Sequence, residues 1–146
     1  MKKGDTAYCI DESVYSDHIT KRKSYIINDS KFDQIQIPND RKNLVWIPIY
    51  YFTSSKIPDI TSINIDGEIN DPDNECVGVT IKFSNGEKRW TTFMTINWLN
   101  GLFNIHRNYV TGNGLILIKE ISESNIKQVI INLDKQNELI EMTNKY

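Results

Sequence analysis

Asp66, Glu68, Asp71, Asp73 and Glu75 fall within the run DGEINDPDNE, which holds no basic residue and little apolar surface. Carboxylates at this density suit cation binding, acid/base catalysis or recognition of a positively charged partner. A calcium loop of the EF-hand type needs ligands at alternating positions, a glycine at the sixth and a glutamate at the twelfth. Counted from Asp71 the sixth residue is Cys76, and counted from Asp66 it is Asp71, so that pattern fails from either start. Paired carboxylates that move protons need a cleft and pKa values driven apart, and nothing in the run marks either. A solvated loop between two strands and an acidic surface for a partner both stay open.

The remaining chemistry-bearing residues are sparse. His18 begins an H-x-T triplet (His18, Ile19, Thr20), but phosphoesterases of that type need two, and His106 has no hydroxyl residue two positions on. Cys9 with His18 or His106 would make a nucleophile and base, yet neither Cys9 nor Cys76 has the flanking residues of a nucleophile motif. Two cysteines and two histidines scattered singly lack zinc-ligand spacing. The basic run Lys21, Arg22, Lys23 lies near Tyr25 and would suit a phosphate backbone, although such runs before a strand are commonly solvated. TGNG precedes a strand, whereas a phosphate loop precedes a helix. No catalytic residue, metal or cofactor is therefore assigned.

These residues must be positioned by a chain of 146 residues, enough for one compact domain or two small modules sharing a core. Its 39% hydrophobic and 25% charged residues match a globular composition and argue against disorder. No run approaches the roughly 18 apolar residues that cross a bilayer, and MKKGDTAYCIDES lacks the apolar core of a signal peptide. A cytoplasmic protein without membrane contact is the expectation, and its cysteines are read as small buried hydrophobes rather than a disulfide. Net charge is −2, with nine basic and seven acidic residues up to Lys56 against eight and twelve beyond it. That balance argues against a partner whose affinity comes from many phosphates.

The elements are short. DTAYCI, KSYIIN, KFDQIQI and LVWIPI read as strands, with Asn28, Asp29 and Ser30 as a tight turn and Phe32, Ile35 and Ile37 on one buried face. Pro48 marks a strand end, and YYF suits a single helical turn. Trp46, Tyr50, Tyr51 and Phe52 are expected in the small core, with one or two left as exposed anchors. TSSKIPD reads as a linker. ITSINID alternates, with Ile60 offset by one. In CVGVTIKFSNGEKRWTTFMT, Val77, Val79, Ile81 and Phe83 keep period two, and Asn85-Gly86 predicts a hairpin with a type I′ turn. A two-residue loop sets Ile81 against Trp90 and Val77 against Met94, whereas a bulged turn shifts the facing set to Thr91 and Phe93. TINWLNGLF predicts a helix capped by Thr95, with Ile96, Leu99, Leu102 and Phe103 on one side. LILIKE reads as a central strand. Ser122 caps a final helix with Ile121 and Ile126 as its staple and a stripe of Ile126, Val129, Ile130 and Leu133.

The expected class is α+β, mainly antiparallel β. Residues 1–54 form an SH3-like small barrel or bent sheet, and residues 57–146 form a hairpin, helix, strand and helix module, the two packed as one unit. KKGDTAYCID, KSYII and LVWIPIYYF, with Trp46 and Pro48 in a W-x-P element, resemble a small bacterial SH3-like module. VGVTIKFSNGEKRWTTFMT through GLILIKEISESNIKQVIINL resembles small proteins encoded beside bacterial polymorphic toxins. The resemblance implies an immunity protein, a non-catalytic inhibitor that neutralises a cognate toxin by occluding its active or substrate-binding site. Asp66, Glu68, Asp71, Asp73 and Glu75 would then face the toxin. The alternative is a phage- or plasmid-type accessory module that contacts a host protein or nucleic acid through its basic N-terminal part.

Overall fold

The computed structural model describes residues 1–105, 112 and 114–146. His106 and most of the loop NIHRNYVTGNG lie outside the described residues. The chain divides into two compact units, Met1–Pro58 and Asp59–Tyr146.

The first unit contains β1 (Thr6–Cys9), β2 (Ser24–Ile26), β3 (Asp29–Ser30), β4 (Gln34–Pro38) and β5 (Leu44–Pro48), then a 3-10 turn (Ile49–Tyr51) and β6 (Phe52–Thr53). They form two antiparallel three-stranded sheets, ordered β2-β1-β6 and β3-β4-β5. Alternation builds the core: Ala7 and Cys9 of β1, Ile35 and Ile37 of β4 and Ile47 of β5 all point inward. Tyr51 and Phe52 close it, Tyr15 meeting Tyr51 edge-on at 5.1 Å and Tyr25 meeting Phe52 at 6.1 Å between ring centres. Pro48, which has no amide hydrogen to donate, ends β5 and hands the chain to the 3-10 turn.

Two local expectations fail here. Asp29 and Ser30 are strand residues paired with Gln36 and Ile35, and the turn lies at Lys31–Asp33, closed by the Lys31 amide on the Gln34 carbonyl at 2.9 Å. Phe32 therefore sits at the turn tip, fully exposed, and not on the buried face with Ile35 and Ile37. The four aromatics assigned to the core, with one or two left exposed, divide in that way: Tyr51 and Phe52 are buried, Trp46 is half-buried and Tyr50 is exposed.

The second unit contains β7 (Ile60–Asp66), β8 (Cys76–Phe83), β9 (Lys88–Thr95), α1 (Ile96–Asn104), β10 (Leu115–Ile118), α2 (Glu123–Lys135) and β11 (Asn144–Lys145). The sheet runs β10-β9-β8-β7, with β11 also on β9; β10 is parallel to β9, and the other pairs are antiparallel. The protein is thus α+β with mainly antiparallel sheets. Val77, Val79, Ile81 and Phe83 of β8 and Phe93 of β9 face Ile121, Ile126 and Ile130 at and within α2 in one core. Ser122 caps α2 by accepting the Asn125 amide.

The β8–β9 hairpin takes the bulged register, pairing Val79 with Thr91 and Val77 with Phe93. Its turn is not type I′. That turn needs positive φ at both central residues, and only Gly86 has it, at +84°. The Gly86 amide closes on the Phe83 carbonyl at 3.0 Å and the Phe83 amide on the Glu87 carbonyl at 2.9 Å. The three-residue loop Ser84-Asn85-Gly86 keeps Asn85 out of the left-handed region. The offset of Ile60 also has a structural cause, a register shift between Ile60 and Ser62 on β7.

LILIKE is not a central strand. Chain leaving α1 returns along the free edge of β9, because β8 already holds the other edge, and β10 pairs there as an edge strand. Ile116 and Ile118 pack toward the core, while Leu117 is 50% exposed. Helix α1 forms where expected, Thr95 accepting the Trp98 amide at 3.3 Å, but none of its residues is buried and Ile96, Trp98 and Phe103 are exposed.

Candidate functional site

The acidic stretch is the loop between β7 and β8, and its backbone is fastened on several sides. Gly67, at φ +134°, turns the chain out of β7. The Ile121 amide donates to the Pro72 carbonyl at 2.8 Å, and the Asn97 side-chain amide donates to the Asp73 carbonyl at 3.0 Å. Glu75 and Thr95 exchange backbone contacts, the Thr95 amide reaching the Glu75 carbonyl at 3.0 Å and the Glu75 amide reaching Thr95 Oγ1 at 3.1 Å. The loop is therefore held to β9, to α1 and to the start of α2.

Its five carboxylates do different things. Asp66 Oδ2 accepts from Thr80 Oγ1 at 2.8 Å, and Thr80 in turn contacts the Tyr146 hydroxyl at 3.0 Å. Glu75 turns inward on the loop: Oε2 accepts the Asn70 amide and Oε1 the Cys76 amide, both at 3.2 Å. Those backbone donors, Asn70 first, hold its carboxyl below the usual glutamate range. Asp71 Oδ1 accepts the Asp73 amide at 3.2 Å, a local turn bond that leaves the side chain exposed. Glu68 and Asp73 are exposed as well. Four of the five are thus exposed and Glu75 is half-buried; Asp66 and Glu75 bond to groups that tie the fold, whereas Glu68, Asp71 and Asp73 are exposed without such a tie. Among the described residues no group of three or more His, Cys, Asp or Glu side chains is placed to hold a metal ion.

Apolar surface adjoins the loop. Ile96, Asn97, Leu117, Ile118 and Lys119 line a groove of about 440 Å³ with Asp73 at its rim. Composition pointed to the acids alone. The missed signal is α1 itself, INWLNGLFN, which carries no charge and an apolar arc wider than one contact face needs.

The other candidates are engaged within the first unit. Asn39 Oδ1 accepts the Arg41 and Asn43 amides at 3.0 and 2.9 Å, which leaves its NH2 to donate to His18 Nδ1 at 3.0 Å. His18 is thus an acceptor at Nδ1, held by an amide whose orientation two backbone donors fix. The Cys9 thiol donates to the Asp11 carbonyl at 3.3 Å, and burial pushes it up to about 11. Cys9 and Cys76 are both free thiols. In the basic run, Arg22 Nε donates to the Pro58 carbonyl at 3.2 Å, and Lys23 pairs with Asp40. Partial burial raises the Asp40 carboxyl, but hydrogen bonds from Lys23, Thr20 and Tyr25 outweigh it and hold the carboxyl below the usual aspartate range.

No helix among the described residues is long and apolar enough to cross a membrane. No protein-family model matches the chain, and neither curated proteins nor solved structures gave a match.

Proposed function

We propose that the protein is a non-catalytic binding protein of the immunity type, which neutralises a cognate bacterial toxin by covering its active or substrate-binding site. The observation that carries this reading is the acidic loop, fixed at Pro72, Asp73 and Glu75 while Glu68, Asp71 and Asp73 present their carboxylates to solvent. A loop already ordered in the free protein loses little conformational freedom on binding. Clustered negative charge speeds encounter with a basic surface and disfavours acidic partners. Exposed Ile96 and Leu117 beside it supply the apolar contact that a charged rim alone lacks. In the first unit, the pairing of β1 with β6 just after a 3-10 turn supports an SH3-like module.

Co-expression with any secreted toxin found encoded next to its gene tests the reading: growth is rescued and the two proteins co-purify. The triple variant Glu68→Gln, Asp71→Asn, Asp73→Asn then associates more slowly, with a flatter salt dependence and a nearly unchanged dissociation rate. Absence of rescue and of a complex overturns the function. Rescue with unchanged association kinetics removes the loop from the interface.

A further inference from the structure

Asp66, Thr80 and Tyr146 are joined by hydrogen bonds across the face of the second unit's sheet opposite α2. Val77, Val79 and Ile81 of β8 turn toward α2, so Gly78 and Thr80 lie on the other face. Pairing carries that face to its neighbours: Asp66 stands opposite Gly78, Thr80 opposite Trp90 and Trp90 opposite Asn144. Tyr146, two residues past Asn144, returns to the same side. Gly78 lets the Asp66 side chain lie down on β8, because a Cβ there would sit only 3.4 Å from Asp66 Oδ2.

The donors follow one order. Thr80 has a single hydroxyl hydrogen and gives it to Asp66 Oδ2 at 2.8 Å, since a carboxylate accepts. The Tyr146 hydroxyl, 3.0 Å away, therefore donates to Thr80 Oγ1. Tyr146 is held there by β11, two residues long, and by the nearly buried Arg89. Arg89 Nε donates to Thr143 Oγ1 at 2.8 Å, and Nη2 donates to the Ile140 and Thr143 carbonyls at 2.7 and 3.0 Å. Thr143 Oγ1 passes its own hydrogen to the Leu139 carbonyl at 2.6 Å.

The acidic loop has two limbs, and this relay meets one of them. The second limb is fastened at Pro72, Asp73 and Glu75. The first limb, which carries Glu68, leaves β7 at Asp66 and packs Ile69 on the core.

We propose that the stretch from Leu139 to Tyr146 is a strap that locks the first limb of the acidic loop. Seated on β9, it places the Tyr146 phenol to fix Thr80 and, through Thr80, Asp66. Lifted from β9, it leaves Gly67 and Glu68 free to move. The coupling is reciprocal, so a contact that immobilises Glu68 also tightens β11. The strap operates whether or not the loop meets a toxin.

Nitrogen-15 relaxation of the full chain tests it. In the wild type, Gly67 and Glu68 have the order parameters of fixed backbone, about 0.85, and Tyr146→Phe moves both toward the mobile value of about 0.6. Asn74 and Cys76, on the second limb, stay unchanged. Thr143→Val, remote from the loop, weakens the Arg89 clasp and lowers the same two values together with amide protection at Lys145. In a Thr80→Val background, Tyr146→Phe has no further effect on Gly67 or Glu68. Should Thr143→Val fail to fold, Tyr146→Phe decides. A lowered unfolding midpoint in Tyr146→Phe with Gly67 and Glu68 unmoved overturns the proposal, as does a further fall on adding Tyr146→Phe to Thr80→Val.

Discussion

Glu75 folds back on its own loop, its Oε2 accepting the Asn70 amide hydrogen at 3.2 Å while its Oε1 accepts that of Cys76. A carboxylate used in this way staples the base of the loop to the start of β8. It works only while ionised. The folded carboxyl titrates below the ordinary 4.5, so its contribution is complete above that pH and is lost as the pH falls through the lower, folded value. Protection of the Asn70 and Cys76 amides, their exchange measured against the intrinsic rate at each pH, should fall on acidification through this range. In Glu75→Gln the two amides exchange faster at neutral pH, and the acid-dependent part of the change disappears. An unaltered pH profile in that variant would show that the loop does not depend on this staple.

Asp40 plays a comparable part in the first unit, where it receives Thr20 Oγ1 at 2.6 Å, Lys23 Nζ at 2.5 Å and the Tyr25 hydroxyl at 2.9 Å. Asp40→Ala removes the common acceptor of three donors and should lower stability by about 1–3 kcal/mol. Burial, together with the hydrogen bond to this carboxylate, raises the Tyr25 phenol above its ordinary 10.0. The variant's Tyr25 should therefore ionise at lower pH than in the wild type, with burial still keeping it above 10.0. Tyrosine absorbance titration reads the shift, and denaturant unfolding reads the loss.

What was legible in the sequence follows from how local its causes are. The stripe of Ile126, Val129, Ile130 and Leu133 and the cap at Ser122 are decided within a few residues, and α2 forms where they place it. The strict alternation from Val77 to Phe83 likewise fixes which face of β8 is buried. The turn at Asn85-Gly86 was less legible, because positive φ at Gly86 alone suffices for a bulged loop and composition does not separate that from a type I′ turn. LILI was misread because apolar residues on both faces look the same at a sheet's centre and at an edge covered on one side. The division of labour among the five carboxylates was invisible. It depends on the path that brings the Asn70 amide and the Thr80 hydroxyl to particular oxygens, a tertiary property absent from residue type and spacing.

Glycine positions separate backbone strain from crowding. Gly86 and Gly114 both have positive φ, at +84° and +73°. A Cβ at Gly86 meets nothing within 4 Å, so Gly86→Ala should cost about 1–2 kcal/mol from the left-handed conformation alone. At Gly114 the same atom would lie 2.6 Å from Asn144 Nδ2, and Asn144 is the residue that pairs β11 with Trp90. Gly114→Ala should therefore destabilise more than Gly86→Ala and loosen β11. Denaturant midpoints and amide exchange at Lys145 measure the two effects, and equal losses would mean that Asn144 moves aside without penalty.

The two faces of α2 should respond differently to the same truncation. Ile126 is fully buried against Val79 and its neighbours, whereas Ile131 is 42% exposed. Ile126→Ala removes buried methylenes and leaves a cavity, at a cost of about 2–5 kcal/mol. Ile131→Ala should stay within about 0.5 kcal/mol of the wild type. Similar losses from the two variants, measured by chemical unfolding, would mean that α2 buries a different face.

The two thiols offer a probe of each unit separately, because one lies in each. Cys9 is fully buried, and burial together with the nearby Glu12 charge raises its thiol from 9.0 to about 11, so few thiolates exist at mildly alkaline pH and none is within reach of reagent. Cys76 is half-buried, and burial followed by the Glu75 charge raises its thiol as well. Ellman's reagent should label Cys76 slowly in the native protein and Cys9 only through opening of the first unit, at a rate that rises with denaturant. Glu75→Gln removes the charge beside Cys76 and loosens its loop, so Cys76 labelling should accelerate while Cys9 labelling stays fixed. Rapid modification of Cys9 in the native state would contradict its burial in the core of the first unit. Acceleration of both thiols by Glu75→Gln would mean that the two units do not open independently.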